Sequence, residues 1–347
     1  METNKSVTSI VHPDVKMVWY KKATRFLFKM EVKKILWIGV IVGAIFMYGS
    51  YGIFIDLCKV DEKIPFLTSS SVLITEVVKL FICLLVLLSE RKIDQMPVLK
   101  RSLVFPFALP ALCYCVNNNL AVFMQTQMDP ATYMVLGNLK IVTTAILYKL
   151  IIRKQFTMLQ WMAVALLTCG GAINSIAALK TKTISLSEIH ITFLGLGTLL
   201  CYCFISGFAG VFTEYILKKD VEMSVYYQNV LLYIFGVLFN FILWVIQAYQ
   251  KSSTTDENYF YLFQGYSVFT WAVIITQAAT GIIFSLIMKY NNNIVRLFII
   301  AAAPLITTAL SYYLFGLQIH AEFAVSATFI LIAAVLYSYK KNEDIKT

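Results

Sequence analysis

Lys79, Lys140 and Arg296 each stand inside an apolar stretch long enough to cross a lipid bilayer. A charge at the bilayer centre costs about 2.5–3.5 kcal/mol on insertion scales, so residues of this kind line polar cavities. Three cations converging on one cavity would suit an anionic solute that carries phosphate. Their local settings differ. Glu76 precedes Lys79 by three positions, on the same helix face, and can offset part of its charge. Lys140 has no acidic residue within four positions and lies too deep in its span to reach the headgroups easily. Arg296 sits just inside the ninth apolar stretch, where its planar fork of donors can clamp a phosphate.

Neutral polar groups accompany these cations. Tyr114, Asn117 and Asn118 share one helix face through i, i+3 and i+4 spacing, with Asn119 beside them. Amide and phenol groups at that depth suit two tasks equally: bonding neighbouring helices, or reading the edge of a nucleobase. Tyr133 lies seven residues before Lys140 and faces nearly the same way, with Asn138 close by. In the sixth stretch Ser206, Gly207 and Gly210 allow close helix approach, and Glu214 follows them. Ser285, Lys289 and Arg296 flank a polar break at Asn291–Asn293.

Enzyme signatures are missing from the sequence. It has no H-E-x-x-H, G-x-S-x-G or G-x-x-x-x-G-K-[ST] motif, and its three histidines (His12, His190 and His320) fall outside the span interiors. Neither a metal nor another cofactor is expected. The seven cysteines lie in or beside the spans. Their odd number, the lack of C-x-x-C and the two-residue spacing of Cys113/Cys115 and Cys201/Cys203 mark them as small buried residues.

The elements that must position these residues are helices in a membrane. The 347-residue chain is 59% hydrophobic, and its apolar runs come close to the 20 or so residues that a spanning helix needs. Ten such runs are expected, at roughly 35–57, 67–89, 103–125, 131–151, 157–178, 191–217, 224–249, 267–289, 293–315 and 320–339. The net charge of +10 follows the membrane and does not signal nucleic acid. Of the 29 Lys and Arg residues, 21 fall on the side that both termini would share and 5 on the other; the remaining 3 are the intramembrane cations. By the positive-inside rule both termini are cytosolic. No apolar run precedes residue 35, so no signal peptide is expected. Residues 1–34 form a basic cytosolic arm, residues 340–347 a cytosolic tail, and the aromatic loop at 250–266 should lie at the membrane interface.

The two halves echo each other. Ile141-Val142-Thr143-Thr144-Ala145 matches Leu305-Ile306-Thr307-Thr308-Ala309, and Tyr51–Asp56 resembles Ala209–Glu214. Residues 35–178 and 191–339 therefore read as two five-helix repeats. An odd number of spans per repeat requires opposite insertion. The expected fold is an all-α membrane protein of ten transmembrane helices arranged as two inverted five-helix repeats, with a substrate site near the midplane.

These motifs together resemble the nucleotide-sugar transporters of the drug/metabolite transporter superfamily (solute carrier family 35, subfamily A). The resemblance covers about residues 35–340. It rests on Thr75-Glu76-Val77-Val78-Lys79, Asn117-Asn118-Asn119, Tyr133 through Asn138-Leu139-Lys140-Ile141, Ser206-Gly207-Phe208-Ala209-Gly210-Val211, Gln228-Asn229, and Lys289-Tyr290 followed by Val295-Arg296. It implies a multi-pass Golgi membrane antiporter that exchanges a cytosolic pyrimidine nucleotide sugar for a lumenal nucleoside monophosphate. The implied substrate-binding residues are Lys79, Tyr114, Asn117, Asn118, Tyr133, Lys140, Ser206, Asn229, Ser285 and Arg296. Lys140 and Arg296 would meet the phosphate, while Glu76, Gly207, Gly210, Glu214 and Gly281 would take structural or gating roles. Arg296 stands where the sialic acid carrier has Lys, and Met134 and Gly137 replace polar or aromatic residues, which leaves base and sugar open. The chain looks most like a branch of probable UDP-sugar transporters. Alternatives are a carrier for another organic phosphate or a CDP-alditol, or a transport-inactive scaffold for Golgi carriers and glycosyltransferases. Partners on this reading are the nucleotides, the bilayer and homo- or hetero-oligomers with other Golgi carriers, without nucleic acid.

Overall fold

The computed structural model describes residues 13–60, 64–90, 100–128, 130–181, 193–254, 259–316 and 321–339. Every long element among them is a helix. In chain order these are α1 (Pro13–Cys58), α2 (Thr68–Ser89), α3 (Arg101–Val104), α4 (Ala108–Gln127), α5 (Pro130–Leu136), α6 (Leu139–Ile151), α7 (Met158–Thr181), α8 (Phe193–Lys219), α9 (Val225–Thr254), α10 (Val268–Tyr290), α11 (Asn293–Phe315) and α12 (Ala321–Ser338). Residues 1–43 separate from the rest as a unit of their own, whose described part is the helical start of α1. Residues 44–347 form the helical body.

Among the described residues ten stretches are long and apolar enough to cross a membrane, from Ile35–Cys58 to Ala321–Ser338, and they coincide with the ten expected runs to within a few residues at most ends. The fourth departs from expectation. Instead of one helix over 131–151 there are two, α5 and α6, separated by Gly137 and Asn138.

Local chemistry sets several helix ends. Ser267 caps α10 in a reciprocal box with Thr270: its hydroxyl accepts the Thr270 N–H at 3.3 Å, and its own N–H meets Thr270 Oγ1 at 3.1 Å. Asn292 caps α11 by accepting the Val295 N–H at 2.9 Å. Gly316 ends α11 in the left-handed region, at φ 65°. The short turn before α10 also depends on glycine: Gly265 has φ 74°, and a Cβ there would stand 2.1 Å from the Pro65 carbonyl oxygen. Around this turn Phe260, Phe263 and Tyr266 pack on Trp244 and Trp271, while Tyr261 stays exposed.

Within the body, α2 packs on α9 and α10, α4 and α6 pack on α8, and α7 packs on α12. One apolar cluster joins α2, α4, α8, α9 and α10 around Leu87, Leu217 and Tyr233. A second joins α6, α7, α8, α11 and α12 around Tyr148, Leu167 and Ile294. Outer faces present large apolar side chains such as Phe81, Phe204 and Val335, which suits contact with lipid chains.

Candidate functional site

The break between α5 and α6 is stabilised by Asn138. Its amide nitrogen donates to the Met134 carbonyl at 2.9 Å, the Val135 carbonyl at 3.2 Å and the Ser175 hydroxyl at 3.2 Å. These bonds satisfy carbonyls that the interrupted helix would otherwise leave bare in an apolar medium. The Ser175 hydroxyl in turn lies 3.1 Å from the Met134 carbonyl, linking α7 to the break. Close approach here requires Gly171, because a Cβ at that position would lie 2.3 Å from Asn138 Oδ1.

Lys140 occupies the first turn of α6. Its carbonyl accepts from Thr144 Oγ1 at 2.5 Å and from Thr143 Oγ1 at 3.1 Å, which steadies that turn. Lys140 lines a half-open cavity of about 220 Å³ together with Tyr48, Asn138, Ser175, Tyr202 and Ile300, among others. No carboxylate or hydrogen-bond partner engages the Lys140 ammonium among the described residues. The N-terminus of α6 adds its positive dipole end to that charge. Lys140 thus stands, without a partner among the described residues, at the start of a half-helix and on the wall of a pocket.

Arg296 sits in the first turn of α11. One terminal nitrogen of its guanidinium donates to the Tyr114 hydroxyl at 3.3 Å, and the group lies 5.8 Å from the centre of the Phe284 ring. Its Nε is buried without a hydrogen-bond partner. The side chain lies against Gly210, where a Cβ would approach the other terminal nitrogen to 2.7 Å. Tyr114 also reaches Thr213 on α8, at 3.3 Å. Phe284 stacks obliquely on Tyr48, with centroids 5.7 Å apart, so the Arg296 region and the Lys140 cavity share an aromatic wall.

Lys79 is engaged differently. It pairs with Glu76 at 2.5 Å, as the three-residue spacing suggested, and its ammonium lies 4.5 Å over the Tyr233 ring. A Cβ at Gly281 would come within 2.9 Å of the Lys79 stem, and one at Gly236 within 2.8 Å of the Glu76 carboxylate. Asn229 is fully buried, with its amide beside the Cys83 thiol. Ser285 is buried on α10 and donates to the Gly281 carbonyl at 3.3 Å.

Seven of the fifteen expected site residues fall into three places. Lys79, Glu76 and Gly281 are together; Tyr114, Gly210 and Arg296 are together; and among the described candidates only Lys140 lines the cavity. Asn117 is half-buried with an unpartnered Oδ1, and Asn118 is exposed. Asn119 makes the cross-helix bond, accepting from Gln247 at 3.0 Å. Ser206 is half-buried on α8, and Gly207 sits against the backbone of Thr144, where a Cβ would lie 3.1 Å away. The side chain of Tyr133 lies outside the described residues. Sequence reasoning missed Tyr48, Ser175, Tyr202 and Phe284, which look like ordinary span residues. The Gly-Asn pair at 137–138 was the one available signal of the helix break.

Glu214 is completely buried and acts as a hub. Its Oε1 accepts from the Tyr148 hydroxyl at 2.9 Å and from Lys218 at 2.6 Å, and its Oε2 accepts the Asn293 N–H at 2.5 Å. Lys218 also donates to the Asn291 carbonyl.

Among the described residues ten apolar helices are long enough to cross a membrane, one of them broken beside the Lys140 pocket, which defines a multi-pass membrane protein. Comparison with known proteins agrees. The profile of the nucleotide-sugar transporter family matches residues 30–338. The chain is 38% identical to the probable UDP-sugar transporter protein SLC35A4 of Xenopus tropicalis, over 89% of this chain and 94% of that one. The proteins of the same name from Danio rerio and Homo sapiens are 35% and 37% identical, over 88% and 84% of this chain and 94% and 90% of theirs. A solved crystal structure 9% identical in sequence superposes over 86% of this chain and 96% of its own with a TM-score of 0.63, so the two share a fold. The chain belongs to the nucleotide-sugar transporter family, a family of transporters and not of enzymes.

Proposed function

We propose that this protein is an antiporter that brings a pyrimidine nucleotide sugar from the cytosol into the Golgi lumen and returns the nucleoside monophosphate left by glycosyl transfer. The observation that carries this reading is Lys140 at the start of α6, on the wall of a pocket and without a partner among the described residues. Either nucleotide supplies the missing negative charge. An empty carrier would have to move uncompensated positive charge through the membrane interior, which is costly, so exchange is favoured over one-way passage. The curated relatives are named for UDP-sugars, which makes uridine nucleotides the first substrates to try.

In this reading residues 35–178 and 191–339 are inverted repeats that rock about the site, with both termini in the cytosol. Two equivalent contacts support it. Thr143 of α6 donates to the Cys203 carbonyl of α8 at 3.0 Å. Thr307, at the matching position of α11, donates to the Gly49 carbonyl of α1 at 2.6 Å. Each fourth helix of a repeat thus bonds to the first helix of the other. The ten substrate-binding residues would divide the ligand, with Lys140 and Arg296 at phosphate, and Lys79, Tyr114, Asn117, Asn118, Tyr133, Ser206, Asn229 and Ser285 toward the nucleoside.

The test is counterflow. Purified protein in liposomes preloaded with unlabelled UMP should accumulate labelled UMP or UDP-sugar, and Lys140→Ala should abolish this, with Lys140→Arg restoring part of it. Undiminished exchange by Lys140→Ala would overturn the assignment.

A further inference from the structure

Asn293 opens α11 and is completely buried. Its backbone N–H is held by Glu214, but its side chain is idle: neither Nδ2 nor Oδ1 has a hydrogen-bond partner among the described residues. An amide buried without partners destabilises the fold, most of all where the surroundings are apolar. The helix start does not depend on this side chain, because Asn292 already caps α11 through the Val295 N–H. An apolar residue of similar size would be the more stable choice at position 293. The amide thus has no structural use in the arrangement seen here.

Its neighbour is Arg296, three residues further along, so the two side chains leave one face of the first turn of α11. Both close on the same notch in α8. A Cβ on Gly210 would stand 2.7 Å from one terminal nitrogen of the guanidinium and 3.0 Å from Asn293 Oδ1. Yet no hydrogen bond joins the two groups. Arg296 turns its other terminal nitrogen to the Tyr114 hydroxyl at 3.3 Å and to the Met288 sulfur at 3.7 Å, while its Nε stays unpartnered. Tyr114 belongs to α4 and Arg296 to α11, so their bond links residues 35–178 to residues 191–339.

We propose that Asn293 is a positioning residue for Arg296: when the guanidinium lets go of Tyr114, Asn293 Oδ1 accepts from its second terminal nitrogen and holds the group in place for the solute. The proposal rests on the exchange reading above and adds a residue that acts through Arg296 without touching the nucleotide. Arg296 then has two seats, one shared with α4 and one within its own helix. A guanidinium carries five N–H donors, so a bond to the amide leaves enough of them for a phosphate. Fixing a long, flexible side chain before the anion arrives lowers the entropy lost on binding. The unpaired amide seen here is the empty second seat, and the stability it forfeits is the usual mark of a residue kept for activity.

Asn293→Leu separates this role from a structural one, because it removes the amide at nearly constant volume. In the full-length protein its melting temperature should equal or exceed the native value, since no hydrogen bond is lost. The half-saturating UMP concentration for counterflow in liposomes should nevertheless rise about tenfold, the loss of one bond to a charged group. An unchanged UMP requirement would overturn the proposal. So would a lower melting temperature or failure to fold, either of which would show that the amide already serves the fold. A second arm tests whether Asn293 acts through the guanidinium. Arg296→Lys keeps the charge but has no second terminal nitrogen, so adding Asn293→Leu to it should change the UMP requirement by less than about twofold. A full tenfold effect in that background would also overturn the assignment. If the native protein does not exchange UMP at all, the antiport reading fails first, a result distinct from the others.

Discussion

The carboxylate of Glu214 on α8 accepts the backbone N–H of Asn293 at 2.5 Å, three residues before Arg296 on α11. One buried acid therefore orients the helix start that presents the candidate phosphate-binding guanidinium. The same group holds Tyr148 of α6 and Lys218, so it ties three helices into one joint.

Glu214→Ala should lower stability by about 2–3 kcal/mol. This is less than the loss of a fully buried pair, because the Lys218 side chain remains 36% exposed and can rehydrate. Thermal unfolding in detergent reads the loss. Glu214→Gln keeps an acceptor for Asn293 and should recover most of it. A variant with an unchanged melting temperature would show that the joint carries no strength.

Gly210→Ala places a methyl group 2.7 Å from the Arg296 guanidinium and 2.8 Å from the Asn293 amide. The flexible arginine must move, since the helix backbone behind it cannot. Displacement of a positioned charge by about 1 Å can cost up to about a hundredfold in rate. The half-saturating UMP concentration should rise at least about tenfold while the protein still folds. Unaltered UMP affinity would remove Arg296 from the site.

Gly171→Ala drives a Cβ to 2.3 Å from Asn138 Oδ1 and should disturb the break that aims Lys140. Overpacking of this kind costs about 1–3 kcal/mol. Adding Asn138→Ala removes the clash, so the double variant should be more stable than the sum of the two single changes predicts. Strict additivity in melting experiments would mean that the two residues do not meet.

Glu76→Gln leaves Lys79, whose side chain is only 12% exposed, without its counter-ion. Breaking a pair this buried should cost about 3 kcal/mol, whereas replacing both partners with Leu and Met can be nearly neutral. The double variant should therefore recover stability yet stay deficient in counterflow. Normal counterflow in the double variant would mark the pair as purely structural.

Much of this was legible in the sequence. The spans follow from run lengths of apolar residues, and the compensation of Lys79 by Glu76 follows from three-residue spacing on one helix. The isolation of Lys140 was equally plain, because no acid lies near it in sequence and none engages it among the described residues in space. The helix break was overlooked because hydropathy is averaged over a whole span, and two residues at 137–138 barely change that average.

Residue type and period alone determined the ten apolar helices, among the described residues, that are long enough to cross a membrane and the cations within those runs, since burying a backbone in lipid leaves almost no other choice. Tertiary structure decided how those cations are used. Lys79 is neutralised by its neighbour, Arg296 is wedged against Gly210 and aligned through Glu214, and Lys140 faces a cavity whose wall includes Pro304. Such distinctions depend on contacts between residues dozens to hundreds of positions apart, and helical periodicity carries no record of them.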